Sequence, residues 1–187
     1  GEALGRVDGG SAGEFFGQTV NFFSSAPDTF VVRASGADVG GNANAGTVVL
    51  MSALSGQELG RVSGSGANDQ FGQTVDFFGV PNGTYLIRAP GADTGGLLDN
   101  GTAVLVDEAT GLEIGRTSGL ADGDSLGSQS PLLRASGNYF LRVPNATVGG
   151  AVNAGSLVLA SGTTGTRIGA LDGNSANEFL GTSVDTF

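Results

Sequence analysis

Pairs of oxygen-bearing side chains recur in three glycine-rich segments, and these residues have the chemistry to bind a cation. In the second segment, Asp93 and Asp99 stand six residues apart across a Gly-Gly step. The pairs at corresponding positions are Asp38 with Asn44 and Thr147 with Asn153. Ca²⁺ takes about six to eight oxygen ligands, whereas Asp and Asn also hydrogen-bond their own backbone in turns without any ion. We therefore expect no required cofactor, and Asp93 with Asp99 is the pair to test for weak Ca²⁺ binding.

The same segments are the candidate ligand-binding loops, because they are the longest connections and the richest in Gly, Asn and Asp. They cover residues 37–45, 92–100 and 146–154. Binding residues lie disproportionately on surface loops. The candidate binding residues are Asp38, Asn44, Asp93, Asp99 and Asn153. Similar loops at regular intervals would let weak contacts to a repetitive target such as a glycan add through effective concentration.

Charged residues recur at fixed positions. One set of arginines is Arg6, Arg61 and Arg116, and a second set is Arg33, Arg88 and Arg142. The acidic set, just before an apolar residue and Gly, is Glu14, Asp69, Asp124 and Glu178. These residues could form a ring of binding sites, but we favour Arg–carboxylate pairs that tie neighbouring strands together. On that interpretation, Arg61→Ala would strand a buried carboxylate and destabilise the fold by several kcal/mol.

Residues suited to catalysis are scarce. The chain has no His and no Cys, which leaves carboxylate pairs of the glycosidase type as the available machinery. An active site needs one asymmetric constellation, whereas most carboxylates here lie at repeated positions. The pairs that do not recur are Asp107 with Glu108 and Asp122 with Asp124, and a solvated turn explains each. We predict that the protein is not an enzyme.

A repeat of about 55 residues positions all of these side chains. A Gly-Arg step marks it at Gly5, Gly60 and Gly115. Each repeat holds four short blocks rich in Val, Leu, Phe and Thr between turn residues, which is typical of strands. The 35 glycines would weaken any helix. We predict an all-β, β-propeller-like array of four-stranded repeats, since each repeat is too small to bury its own apolar face.

We interpret residues 1–187 as a single repeat array with three full copies and a partial copy at each end. The boundaries fall at 1–13, 14–68, 69–123, 124–177 and 178–187. In the first block, Phe16 and the equivalent Phe71 are expected to pack against the next repeat. Strand alternation would place Val20 and Phe22 on the same buried side as Phe16.

Composition excludes several partners. The net charge is -10, and all eight cations are arginines. Such an acidic chain repels phosphate backbones, so we expect no binding of nucleic acid or anionic membrane surfaces. No run of 18 apolar residues is present, so we expect no membrane insertion. Low-lysine, cysteine-free sequences rich in Gly, Asn, Thr and Ser are common in secreted bacterial surface proteins, which favours an extracellular or cell-surface location.

Two kinds of known repeat resemble this chain. The sequence SGNYFLRVP at 136–144, with NAGSLV at 153–158 and GTTG at 162–165, resembles repeats of unknown function in large bacterial surface and haemagglutinin-like proteins. Phe-Gly at 16–17 and 71–72, with NAGTV at 44–48 and RAP at 88–90, is similar to the FG-GAP repeats of integrin-type β-propellers. Calcium-binding FG-GAP members carry an Asp-rich loop between their first two strands. This chain has at most one carboxylate there, so calcium is not expected at that loop.

Two functions follow as hypotheses. The first is a non-catalytic extracellular module that acts in adhesion or ligand binding, with a cell-surface or glycan ligand as partner. The alternative is a structural subunit of an extracellular filament, in which copies of the same protein join head to tail through exposed strand edges. In that case we expect the joint at residues 179–187.

Overall fold

The computed structural model describes residues 5–10, 13–22, 28–79, 83–133 and 137–183. Within these ranges the chain forms β-strands and no helix, and so it has no helix that could span a membrane. The strands form three four-stranded sheets, in each of which consecutive strands are neighbours. The predicted all-β, propeller-like array of four-stranded repeats is confirmed.

Each sheet is built from one repeat. The first contains β1 (Thr19–Phe22), β2 (Thr29–Ala34), β3 (Thr47–Ser52) and β4 (Glu58–Ser63). The second contains β5 (Thr74–Gly79), β6 (Thr84–Ala89), β7 (Thr102–Asp107) and β8 (Glu113–Ser118). The third contains β9 (Leu132–Leu133), β10 (Tyr139–Val143), β11 (Ser156–Ala160) and β12 (Arg167–Asp172). Pairing in the first and third sheets is antiparallel throughout.

The chain divides into two compact units. Unit 1 comprises Gly1–Ile87 and Leu105–Ile114, and unit 2 comprises Arg88–Val104 and Gly115–Phe187. In unit 1 the fully buried side chains include Val49, Leu50 and Tyr85, and in unit 2 they include Tyr139 and Leu141. The third strand of the first sheet is buried over Thr47–Met51, while the fourth exposes half of its residues. Strands that are apolar on both faces, such as β3, are those covered on both sides.

Two left-handed turns dock against each other in unit 1. Asn44 and Gly46 have φ of 53° and 83°, and Gln70 has φ of 49°. The amides of Gln70 and Phe71 donate to the carbonyl oxygens of Asn44 and Ala45 at 3.0 and 2.9 Å. A Cβ at position 46 would overlap the backbone nitrogen and oxygen of Phe71. Only glycine combines this φ with so close an approach of the two backbones.

The same joint occurs twice in unit 2. The amide of Leu126 donates to the carbonyl of Asn100 at 3.0 Å, and the amide of Leu180 donates to that of Ala154 at 3.0 Å. Glycines again stand at the contact, because a Cβ at Gly101 would overlap the backbone of Leu126 and one at Gly155 would overlap that of Leu180. We call this contact the turn joint. It connects the loop before the third strand of one repeat to the turn that opens the next.

The apolar residues of the first block are placed differently from our expectation. Phe71 is fully buried and Phe16 is half-buried, but Val20 is exposed and Phe22 is 71% exposed. The reason is that β1 begins only at Thr19, so Phe16 lies in the preceding turn. Strand alternation therefore does not run from Phe16, and the more buried side of β1 carries Thr19 and Asn21.

The burial of Phe71 predicts a large effect of truncation. We expect Phe71→Ala to lower the free energy of unfolding by about 3 to 5 kcal/mol, because it leaves a cavity. Phe16→Ala, at the equivalent but half-buried position, is the matched control and should cost less. Urea-induced unfolding of the two variants provides the measurement, and equal losses would contradict the different burial of these two rings.

The turn joint predicts a contrast between two glycines of the same loop. Gly41 and Gly46 have φ of 89° and 83°, but a Cβ at Gly41 would meet nothing within 4 Å. Gly41→Ala should cost about 1 to 2 kcal/mol, the penalty for a left-handed residue alone. Gly46→Ala should cost more, because the Cβ also collides with Phe71. Thermal unfolding of both variants measures the two losses of stability. Equal losses would contradict the close contact between Gly46 and Phe71.

Candidate functional site

The predicted acids of the first two loops accept hydrogen bonds from within their own loops. Asp38 accepts the amide of Asn44 at 2.9 Å, and Asp93 accepts the amide of Asp99 at 2.7 Å. Each of these acids therefore holds the residue with positive φ that begins the turn joint. In the third loop, Asn153 has φ of 54° and its side-chain amide donates to Asn177 at 3.3 Å. These contacts give the loops a defined backbone shape.

The predicted cation pair is open to solvent. Asp93 and Asp99 are both exposed, and the Asp93 carboxylate is engaged by the amide of Asp99. Within the described ranges, no group of three or more His, Cys, Asp or Glu side chains is gathered in a way that could hold a metal ion. Weak Ca²⁺ binding at this pair stays a prediction.

The recurring acids cap the turn that precedes each turn joint. Each one accepts backbone amides from residues three or four positions earlier in the chain. Asp69 accepts those of Ser65 and Gly66 at 3.0 and 2.7 Å. The other members of the set are Glu14 with Gly10, Asp124 with Leu120 and Ala121, and Glu178 with Asn174 and Ser175. The amides of Asn174 and Ser175 lower the pKa of Glu178.

The arginines of the second strands reach carbonyl oxygens beyond the turn joint. Arg33 donates to the carbonyl of Gln73 at 3.0 Å, Arg88 donates to that of Gly127, and Arg142 donates to that of Thr182 at 3.3 Å. Arg88 is buried, and partial burial lowers the pKa of Arg33. In these contacts the arginines hold successive repeats together through backbone carbonyls, where we had expected carboxylates.

The first set of arginines, which comprises Arg6, Arg61 and Arg116, lies near the surface. Arg61 forms two bonds to Glu58, at 3.0 and 2.7 Å, and this contact raises the pKa of Arg61. The two side chains are 41% and 33% exposed, so the hydrogen-bonded partner of Arg61 is a surface carboxylate and not the buried one that we expected. The charge of the buried Glu14 also raises the pKa of Arg61. Arg6 forms an exposed pair with Asp8 at 2.6 Å. Arg116 lines a concavity, described below.

The two classes of arginine should differ in their effect on stability. We expect Arg88→Ala to cost about 2 to 3 kcal/mol, because it removes a buried hydrogen bond from a charged donor. Arg61→Ala should cost no more than about 1 kcal/mol, because exposed ion pairs contribute little. Denaturant unfolding of both variants measures the difference. A larger loss at Arg61 than at Arg88 would show that the surface pair is the structural one.

Two concavities in unit 2 are bordered by the candidate loops. One, of about 290 Å³, is lined by Thr147 and Val148 of the third loop together with Asp124, Arg167 and Asp172. Its apolar lining consists of Leu120, Leu126, Val143, Ala146 and Val158. The other, of about 420 Å³, is lined by Arg116 and Arg167 and, in the second loop, by Thr94, Gly95, Leu97 and Asn100. Gly119, Leu120 and Arg167 line both concavities.

The first concavity is a place where the repeat pattern breaks. Arg167 occupies the position held by Glu58 and Glu113 in the other repeats. Asp172 replaces a serine and accepts a hydrogen bond from Ser156 at 2.6 Å. Arg167 is half-buried and has no ion-pair or hydrogen-bond partner among the residues that the structure describes. The result is an asymmetric site that combines a cation, hydroxyl and carboxylate groups and an apolar wall.

The sequence interpretation did not identify Ser156, Arg167 or Asp172 as site residues. The available signal was the departure of Arg167 from the phases that six of the eight arginines follow. The concavity itself also depends on Leu126, which takes the position of the larger Phe71 in the preceding repeat.

Three of the four carboxylates that we considered for catalysis accept backbone amides. Asp107 accepts the amides of Ala109 and Thr110 at 3.1 and 2.8 Å. Asp122 accepts the amide of Leu98 at 2.8 Å. Asp124 accepts the amide of Thr147 at 3.0 Å through its second oxygen. These contacts hold the loop backbone in place.

No family model matches the chain, and no curated protein matches it in sequence. Solved structures are similar to the chain, and they include the following two. The crystal structure of the computationally designed Ika4 protein has 14% identity and a TM-score of 0.48 over 94% of this chain and 82% of that chain. Europium-containing methanol dehydrogenase has 11% identity and a TM-score of 0.50 over 82% of this chain and 24% of that chain. The second similarity concerns the fold alone and agrees with a propeller-like arrangement.

Proposed function

We propose that this protein is a non-catalytic module of an extracellular bacterial surface protein, which binds a glycan or another cell-surface ligand through multivalent contacts. The observation that supports this function best is the placement of two candidate loops beside adjacent concavities. Both concavities share Arg167. Ligand sites are typically concave and mainly apolar with a few convergent polar groups, and the smaller concavity has this character.

The lining chemistry suits an acidic sugar. The guanidinium of Arg167 offers a planar pair of donors to a carboxylate or sulfate. Ser156 and Asp172 offer hydrogen-bonding groups to ring hydroxyls, and Leu126 and Val158 offer apolar surface to the C–H face of the ring. An anionic group of the ligand would meet the cation of Arg167 here, although the lining also holds the carboxylates of Asp124 and Asp172 and the chain as a whole is acidic.

A non-catalytic role agrees with the state of the nearby carboxylates. The two oxygens of Asp124 accept three backbone amides between them. A general acid or base must be free to exchange a proton with the substrate, whereas both oxygens of Asp124 are already occupied by backbone amides. Asp172 is engaged by Ser156. The geometry therefore favours binding over hydrolysis.

Replacement of Arg167 by the residue of the other repeats tests this site. We expect Arg167→Glu to fold normally and to weaken binding of a uronic acid oligosaccharide by at least about tenfold, or about 1.4 kcal/mol. Arg61→Gln, at an exposed arginine of unit 1, is the matched control and should bind as the parent chain does. Titration calorimetry with oligosaccharides of increasing length is the measurement. Equal binding by the Glu variant, or hydrolysis that Asp124→Asn abolishes, would contradict the proposal.

A second candidate function, the subunit of an extracellular filament, is favoured by a different observation. Leu171 in β12 is exposed, whereas Val62 and Thr117 at the equivalent positions are buried. An edge strand with an exposed apolar residue of this kind can pair with a strand of another chain. Of the joint that we expected at 179–187, Phe179 is 41% exposed, and residues 184–187 lie outside the described ranges. Negative-stain microscopy of the purified protein distinguishes filaments from single particles.

A further inference from the structure

Glycines of the fourth strands receive a hairpin from the following repeat. In unit 1, a Cβ at Gly60 in β4 would overlap the carbonyl oxygen of Thr110. In unit 2, a Cβ at Gly115 in β8 would overlap the carbonyl oxygen of Thr164. Thr110 and Thr164 both lie in the hairpin between the third and fourth strands. We call this second kind of contact the hairpin joint.

The residue two positions after each glycine is buried wherever the hairpin is present. Val62 is 7% exposed and Thr117 is 4% exposed. The Thr117 hydroxyl donates to the carbonyl of Gly165, in the hairpin itself, at 2.9 Å. The hairpin joint thus has two parts, a glycine that admits the hairpin and a residue that the hairpin covers.

The third copy of this surface is uncovered. At Gly169 in β12, a Cβ would meet nothing within 4 Å. Leu171, which corresponds to Val62 and Thr117, is 62% exposed. The glycine and the apolar residue of the hairpin joint are therefore present without the hairpin.

The first repeat carries a hairpin of matching shape. Gly56, Gly111 and Gly165 have φ of 66°, 67° and 68°. In all three hairpins the glycine amide donates to the carbonyl four residues earlier at 2.9 Å. The hairpin at 52–57 has the sequence SALSGQ and carries no charge, so it brings no charge repulsion toward an acidic surface.

Hairpin 52–57 lies against residue 5 of its own chain. A Cβ at Gly5 would come within 2.6 Å of the carbonyl oxygen of Gly56. Residues 5–8 are the repeat equivalents of 169–172, because Gly5 corresponds to Gly169 and Val7 to Leu171. Gly5 and Arg6 are exposed, and neither belongs to a strand. A short, exposed segment of this kind is readily replaced by an equivalent one.

We propose that β12 is a docking site for hairpin 52–57 of a second copy of this chain, where it takes the place of residues 5–8. The exchange repeats a contact that the chain already makes at Gly60 and at Gly115. Exchange of identical elements is a low-cost route to association, and a head-to-tail contact that does not close extends into a fibre. This docking site would be the joint between successive subunits of the filament, and the inference rests on the filament function proposed above.

Two glycine substitutions act in opposite directions on this joint. Gly169→Val fills the space that the partner hairpin requires, while a Cβ at this position meets nothing within 4 Å in a single copy. It should leave the unfolding midpoint unchanged and raise the dissociation constant of self-association by at least about tenfold. Gly5→Val pushes residues 5–8 away from hairpin 52–57 and should strengthen self-association. Sedimentation velocity over a concentration series measures both effects.

A disulfide test identifies the occupant directly, because the chain has no cysteine of its own. Leu171→Cys and Ser55→Cys, purified separately and mixed under oxidation, should form the mixed disulfide in preference to either homodimer. Leu98→Cys mixed with Ser55→Cys is the control, since Leu98 is also exposed but lies outside the proposed joint. A mixed disulfide no more abundant in the first mixture than in the control would overturn the proposal.

The outcomes separate the joint from the filament candidate. If the parent chain associates and Gly169→Val associates equally well, β12 is not the joint, although the filament candidate stands. If the parent chain remains monomeric up to its solubility limit, both are wrong. The surface of β12 would then belong to a further repeat of the same polypeptide.

Discussion

The close approach of two backbones at positions without a Cβ is the constraint on which the other contacts depend. At Gly46, Gly101 and Gly155, a side chain would occupy the space of the next turn. Because the donors and acceptors of this joint are main-chain groups, its geometry depends little on the side chains nearby. The loops that carry the candidate binding residues can therefore differ in sequence while the repeats remain connected.

The acids before the joint and the arginines of the second strands complete the joint by binding backbone groups. Asp69 and Asp124 hold backbone amides on one side of it, while Arg33 and Arg88 reach carbonyls on the other. Buried backbone groups need partners, and charged side chains make stronger hydrogen bonds than neutral ones. This arrangement explains why charges recur at fixed positions in a chain of only 14% charged residues.

The sequence predicted the period, the strands and the sheet size, because apolar blocks and turn residues repeat together. It misplaced the start of β1, because Phe15 and Phe16 have strand composition but Phe15 adopts φ of 55°, which no propensity of phenylalanine indicates. The sequence also did not predict the carbonyl partners of Arg33 and Arg88. Periodicity shows that a position recurs, but a guanidinium binds carbonyls and carboxylates alike. In the sequence, Arg167 is recognisable as an arginine outside the two repeated sets. The concavity that it lines, together with Leu126, is formed only by the folded chain and could not be predicted.

The hairpin joint at Gly60 and Gly115 also bears on how such a chain lengthens over evolution. Each repeat carries both halves of the contact, the glycine on its fourth strand and the hairpin that enters the preceding repeat. Duplication of one repeat within the gene would therefore supply a complementary surface at each new boundary without any compensating substitution. Selection can then act on the number of repeats separately from the residues that line their loops.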